Sequence, residues 1–241
     1  MPAPIGLILG TGWGKIIENL KASEIVPYKQ IFGVTSSVPG HEGKVIKAKY
    51  KNKNLIILSG RFHTYEGYRS EETVRTIKYL YREGVKKVII TAACGALNPK
   101  YEVGDVVILN DIITLFCQSP LVGPKFQDMS APFSSELRNI ATNIAAESKT
   151  NFQKGVYCYF RGPHFETFAD KMALRFLGAD VVGMSVVPEV ITARHLGMEV
   201  LGLALVTNLA FVKHSHLEVL AAAKKQEKNL YEFVKRMIVN L

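Results

Sequence analysis

Cysteine is scarce in this chain. Cys94, Cys117 and Cys158 are far apart and odd in number. Their spacing matches neither a zinc site nor a disulfide framework, so reduced thiols in a cytoplasmic protein are the expectation. No apolar run approaches the ~20 residues that cross a bilayer, and no membrane partner is expected. Met1-Pro2-Ala3-Pro4 puts no basic segment ahead of the first apolar run, so no signal peptide is expected. Internal repeats, low-complexity tracts and Pro/Ser linkers are lacking as well. Lysine and arginine outnumber acids 30 to 21, for a net charge of +9, yet the basic residues are scattered. No stripe interleaves them with stacking aromatics. The one dense cluster, Lys224-Lys225 with Lys228, falls on an exposed helix face. A nucleic-acid partner is therefore not expected, whereas a positive field that draws in small anions fits.

What remains is an ordinary globular composition, 48% hydrophobic and 21% charged over 241 residues. A chain of this length buries roughly 70–75% of its unfolded surface. Short β-branched runs predict buried strands at Ile5–Leu9, Leu55–Leu58, Val85–Thr91, Val106–Leu109, Gly155–Phe160, Ala179–Met184 and Val200–Thr207. Amphipathic periodicity predicts helices over Ser70–Glu83, Ser134–Ser148, Phe168–Leu177, Pro188–Leu196 and His216–Val239. Pro188 and Glu189 suit a first helical turn, where proline costs no hydrogen bond and an acid meets the positive end of the dipole. Alternating strands and helices imply an α/β sheet covered on both faces. Small or polar residues follow five of the strands, at Gly10-Thr11-Gly12, Gly60-Arg61-Phe62-His63, Ala92-Ala93-Cys94-Gly95, Ser185 and Asn208. Ligands of open α/β sheets bind at such carboxyl ends, and five together suggest a composite site.

One half of that site suits an anion. Gly10-Thr11-Gly12-Trp13-Gly14 after a strand can cradle phosphate with backbone N–H groups and a hydroxyl, or it can be a tight turn. Its spacing is not G-x-G-x-x-G, and no acid closes a second strand about 20 residues later, so a dinucleotide oxidoreductase is the lesser alternative. Arg61 presents a planar fork that matches two phosphate oxygens. His63 shares its side if the segment is extended. Singly, these fit a surface ion pair and a core histidine; together, after an apolar strand and a glycine, they favour an anion site. His41, in Pro39-Gly40-His41-Glu42-Gly43, fits either a turn or that site.

The other half suits a flat heterocycle. In Gly162-Pro163-His164-Phe165-Glu166-Thr167, an aromatic face stands beside a carboxylate that can accept from ring N–H and exocyclic NH₂ groups. Such a pocket rejects ligands that leave its acceptor unpaired. Glu166 equally fits the acidic start of a helix. Asn208 carries an amide that donates and accepts at once, suited to a 6-oxo group and ring N7 of a purine, or to capping a strand. An anion site plus a heterocycle site suggests phosphate attacking a nucleoside.

These residues, with Gly95-Ala96-Leu97-Asn98-Pro99, Thr64-Tyr65-Glu66-Gly67 and Gly183-Met184-Ser185-Val186-Val187-Pro188-Glu189-Val190, carry a resemblance over nearly the whole chain. The sequence is similar to the trimeric, low-molecular-mass purine nucleoside phosphorylases, a family that also holds methylthioadenosine phosphorylases. The resemblance implies an α/β phosphorylase/hydrolase-like fold. That fold is one domain over residues 1–241, a mixed, twisted central β-sheet, partly barrel-like and flanked by helices. It implies that phosphate is held by Thr11, Arg61, His63, the Ala93 backbone N–H and Ser185, with His41 nearby. The purine would meet Tyr157, Phe165, Glu166, Val182, Gly183 and Asn208. Ribose would lie against Tyr65, Met184 and His216, with Phe126 supplied by the neighbouring subunit of a homotrimer. Asn208, Glu166 and His63 would carry the chemistry, with no metal and no organic cofactor. The implied reaction is reversible phosphorolysis of 6-oxopurine (deoxy)nucleosides such as inosine and guanosine, in purine salvage. A methylthioadenosine phosphorylase-like activity on 6-aminopurine nucleosides and a catalytically silent nucleoside-binding protein are the alternatives. Thr11 stands where the family has serine, Ala92 where its nucleoside branch has asparagine, and Arg161 and His164 where it has small residues.

Overall fold

Every second residue of the central strands packs to the same side, and this period sorts the core into two layers. A computed structural model describes residues 2–17, 20–38, 41–148, 150–213 and 215–241. The strands are β1 (Ile5–Leu9), β2 (Lys21–Pro27), β3 (Lys44–Tyr50), β4 (Lys53–Ser59), β5 (Lys87–Ala96), β6 (Val106–Ile113), β7 (Phe152–Tyr159), β8 (Val181–Gly183) and β9 (Glu199–Leu209). The helices are α1 (Tyr28–Phe32), α2 (Ser70–Thr73), α3 (Arg75–Arg82), α4 (Ser135–Ala146), α5 (Phe168–Phe176), α6 (Val187–His195) and α7 (His216–Asn240). Leu7, Leu9, Leu55, Ile57, Ile89 and Leu201 pack with Leu137 of α4 and with Leu230 and Phe233 of α7. Ile8, Ile56, Leu58, Val88, Ile90 and Val200 pack on the other face with Ile77 and Leu80 of α3 and Val187 and Val190 of α6. Burying each such side chain fully is worth roughly 1.5–3 kcal/mol, so the sheet is clamped from both sides. Among the described residues no helix is long and apolar enough to cross a membrane.

The strands join one sheet in the order β2-β3-β4-β1-β5-β8-β7-β6-β9, and an added β5–β9 pairing closes its last five strands into a ring. β1–β4, β1–β5, β5–β9, β6–β7 and β7–β8 are parallel, whereas β2–β3, β3–β4, β5–β8 and β6–β9 are antiparallel. The mixed, partly barrel-like sheet implied by the resemblance is the one found.

The differences from the sequence reading have physical causes. β2 and β3 escape it because β2 is exposed along most of its length and β3 interleaves Lys44, Lys47 and Lys49 with its apolar residues. The single helix expected over Ser70–Glu83 breaks at Val74 (φ −91°, ψ 11°). There the Arg75 side chain donates to the Glu72 carbonyl at 2.8 Å and the Thr73 hydroxyl to the Ser70 carbonyl at 2.7 Å. Side chains thus take carbonyls that a continuous helix would use. β5 and β9 run beyond Thr91 and Thr207, so Ala93 and Asn208 belong to strands rather than to the loops after them. The pairing of these two strands shifts register between Cys94 and Gly95, opposite Asn208.

Candidate active site

The site begins where β1 and β4 end side by side. Gly60 N–H donates to the Leu9 carbonyl at 3.0 Å, and the buried Tyr28 hydroxyl donates to the Gly60 carbonyl at 2.8 Å. Gly60 adopts φ +105°, and a Cβ there would lie 2.7 Å from Cβ of His41. Only glycine permits both the backbone and the close approach. The chain then presents Arg61, and His63 is extended (φ −124°, ψ 154°) as the spacing required. On the β1 side, Trp13 Nε1–H donates to the Ala92 carbonyl at 3.1 Å and Gly10 N–H to Thr91 Oγ1 at 3.1 Å. These bonds tie the glycine-rich turn to β5.

Arg61 is 2% exposed and held on three sides. Nη2 donates to the Thr91 carbonyl at 2.6 Å, Nη1 donates to Ser185 Oγ at 2.9 Å, and Nε lies 3.4 Å from Glu189 Oε1. Burial raises the Glu189 carboxyl above its ordinary range, partly opposed by the Arg61 charge. Glu189 is the first-turn acid that the helix pattern predicted, and it is also the buried partner of Arg61. The turn that carries Ser185 is strained. Val186 has φ 68° and ψ −57°, and Val187 N–H donates to the Ser185 carbonyl at 2.7 Å. This tight γ-turn costs a β-branched residue about 1–3 kcal/mol.

His63 stacks between His41 (centroids 5.3 Å apart) and Tyr65 (4.5 Å). Its Nδ1 lies 2.9 Å from Glu66 Oε1. Burial would raise the Glu66 carboxyl, but hydrogen bonds from His63 and Ser37 outweigh it and hold the group at about 2. Glu66 is therefore acceptor-only, so His63 Nδ1 carries the proton and Nε2 is left as an acceptor when the ring is neutral. Burial lowers the His63 pKa, against the Glu66 hydrogen bond and with the help of Arg61. His41 is pushed down to about 3 by burial, then by His63 and Arg61.

The base half is built from β5, β8, β9 and the segment after β7. Phe160 N–H donates to the Gly183 carbonyl at 2.9 Å, which brings that segment back to β8. Thr167 and Asp170 cap α5 reciprocally, so Glu166 stands ahead of the helix and is buried. A side chain at Gly183 would run into the Tyr157 hydroxyl. Asn208 Oδ1 lies 3.2 Å from the Thr207 hydroxyl.

One cavity of about 390 Å³ gathers the two halves. Its lining includes Thr11, His41, Arg61, His63, Ala93 and Ser185 of the anion set, Phe165, Glu166, Val182, Gly183 and Asn208 of the base set, and Tyr65 and Met184 of the ribose set. Tyr157 does not line it. That residue is wholly buried behind Gly183, and Ser185 N–H donates to its hydroxyl at 3.4 Å. Phe126 is 95% exposed and lies outside this cavity. The side chain of His216 lies outside the described residues. Sequence reasoning missed Thr91, Glu66 and Glu189. The His63–Glu66 spacing of three was a usable signal; nothing in the sequence joins Glu189 to Arg61.

Comparison with known proteins gives the family. The profile of the phosphorylase superfamily covers residues 4–239. Purine nucleoside phosphorylase 1 of Geobacillus stearothermophilus is 37% identical over 198 residues, 78% of this chain and 72% of that protein. The chain belongs to the purine nucleoside phosphorylase family. A Schistosoma purine nucleoside phosphorylase solved with hypoxanthine superposes on this family member with a TM-score of 0.92 at 33% identity, over 99% of this chain and 91% of that one. The Schistosoma mansoni enzyme solved with adenosine gives 0.90 at 33% identity, with the same coverage.

Proposed function

We propose that this enzyme catalyses reversible phosphorolysis of 6-oxopurine (deoxy)nucleosides, inosine and guanosine among them, to the free base and (deoxy)ribose 1-phosphate, in purine salvage. The coarser activity, pentosyl transfer by a purine nucleoside phosphorylase, follows from family membership. One observation carries the finer reading: Arg61, His63 and Ser185 line the same cavity as Phe165, Glu166 and Asn208. Phosphate is held by Thr11, Arg61, His63, Ala93 N–H and Ser185, with His41 beside it. Neutral His63 accepts from a phosphate O–H through Nε2. Phe165, Val182 and Gly183 bracket the purine, Tyr157 backs that wall, and Glu166 accepts from its N–H donors. Tyr65 and Met184 flank the ribose, with His216 assigned to its 5′ end.

The C1′–N9 bond loosens first, and its electron pair leaves with the purine. The sugar becomes oxocarbenium-like, and a phosphate oxygen then forms the new bond to C1′. The phosphate keeps its O–H in the sugar phosphate formed, and one proton from solvent completes the departing purine anion. Holding both fragments in register removes up to roughly 7–11 kcal/mol of barrier. Asn208 meets charge that grows only as the bond breaks, so it acts on turnover more than on binding. The reaction so drawn uses no metal and no organic cofactor.

We assign the working form to a homotrimer. Phe126 on its loop and Phe168, Met172 and Phe176 along α5 are exposed, and a subunit contact over these positions would take them out of water. Phe126 fits the residue that closes a neighbour's pocket. Three free thiols fit the cytoplasm. Ultraviolet absorbance tests the reaction: inosine should yield hypoxanthine only when phosphate is present. Release without phosphate would make the protein a nucleosidase, and no release would make it a silent binder. Light scattering after size exclusion tests the trimer.

A further inference from the structure

Glu189 has no part in the reaction as drawn, yet it is 3% exposed. Burying a carboxylate is costly, and apolar residues in place of a buried ion pair are often neutral or stabilising. Stability therefore does not account for it. Electrostatic attraction does not account for it either, because a carboxylate beside Arg61 opposes the cation's pull on an anion. Geometry does. A guanidinium carries five N–H donors in one plane. Thr91 of β5 takes one donor from Nη2, and Ser185 in the strained turn takes one from Nη1. Glu189, two residues into α6 from the same turn, stands against the Nε edge at 3.4 Å. Glu189 itself is absent from the cavity lining, whereas Arg61 and Ser185 belong to it.

We propose that Glu189 is a positioning residue that braces the Nε edge of Arg61 from behind, so that one N–H of Nη1 and one of Nη2 form a fixed fork for two phosphate oxygens. The inference rests on the reading of Arg61 as a phosphate ligand. The α6 N-terminus and the γ-turn at Val186 then act as one clamp, with Ser185 on one side of the guanidinium and Glu189 on another.

The test compares Glu189→Asp, which keeps the charge but falls one methylene short, with Glu189→Gln, which keeps the reach and loses the charge. Phosphate is varied at saturating inosine, and inosine at saturating phosphate. Glu189→Asp should raise the phosphate KM about tenfold, while Glu189→Gln stays within about twofold and neither variant moves the inosine KM. The phosphate-induced rise in melting temperature should rank the variants in the same order without turnover. A Glu189→Gln effect as large as that of Glu189→Asp, a silent Glu189→Asp, or inosine KM moving in step would overturn the proposal. Arg61→Ala is run alongside. If it leaves the phosphate KM untouched, the phosphate assignment itself fails; if it raises that KM while Glu189→Asp does nothing, only the bracing role fails.

Discussion

The Nδ1 of His63 lies 2.9 Å from Oε1 of Glu66, and that carboxylate also gathers a second segment. Glu66 Oε2 accepts from Ser37 N–H at 2.8 Å and from the Ser36 and Ser37 hydroxyls at 3.1 Å. One acid thus fixes the tautomer of a cavity-lining imidazole and holds Ser37 and Val38 against the cavity they line. Hydrogen bonds to a charged group are each worth about 1.5–3 kcal/mol net. Glu66→Ala should therefore lower kcat/KM for phosphate by about ten- to hundredfold. Initial rates at varied phosphate measure this. A rise confined to the nucleoside KM would place His63 outside the anion site.

Arg61→Ala should do two separable things. The phosphate requirement should rise far more than the nucleoside requirement. Stability should also fall by about 3–5 kcal/mol, because Glu189 is left buried without its partner. Replacing both Arg61 and Glu189 with leucine should recover much of the melting temperature and none of the phosphate affinity. Full recovery of phosphate affinity in the double variant would show that this pair serves packing alone.

The central strands were legible because each is an apolar run bounded by glycine or polar residues. Ile5–Leu9 has the same limits in sequence and structure. The cavity lining was legible where chemistry-bearing residues follow such runs, as at Arg61 and Ser185. Three kinds of information were not. The exposed edge strand β2 has no apolar period to read. Ala93 and Asn208 flank a register shift between β5 and β9, which is a property of pairing rather than of either sequence. Glu189 owes its role to a partner 128 residues away in the chain, and its local signature is that of any acid in a first helical turn.

Acid should destabilise the folded chain through the imidazoles of buried His63 and half-buried His41. His41 has a folded pKa of about 3 against an ordinary 6.5, and His63 is lowered as well. Above pH 6.5 these rings are neutral whether folded or unfolded and add no pH dependence. Below it the unfolded chain takes up protons that the folded chain refuses, so stability falls with pH, by at most ~1.4 kcal/mol per pH unit for each ring. For His41 the window runs from 6.5 down to about 3. Glu66, held at about 2 against an ordinary 4.5, pulls the same way only below 4.5. Glu189, raised by burial, works the other way, so the readout at pH 7, 6 and 5 in phosphate-free buffer is a difference: His41→Gln should lose less stability on acidification than the parent chain. An unchanged slope would mean that His41 titrates normally.

Base specificity should turn on Asn208. Its Oδ1 lies 3.2 Å from the Thr207 hydroxyl, and a side chain at Gly95 would come within 2.9 Å of its Nδ2. The amide is therefore set by its neighbours and free to offer a donor and an acceptor to one edge of a purine. Aspartate keeps the shape but is acceptor-only when ionised. Facing a 6-oxo group, it loses the donor and adds repulsion as the base gains charge; facing a 6-amino group, it gains a partner. A site left with an unmatched polar group discriminates strongly. Asn208→Asp should thus lower kcat/KM for inosine by about a hundredfold, mostly in kcat, and shift the adenosine-to-inosine ratio upward by at least about tenfold. Parallel assays with the two nucleosides decide it. Equal ratios before and after the change would remove Asn208 from the recognition of the 6-position and move the choice of base to Glu166.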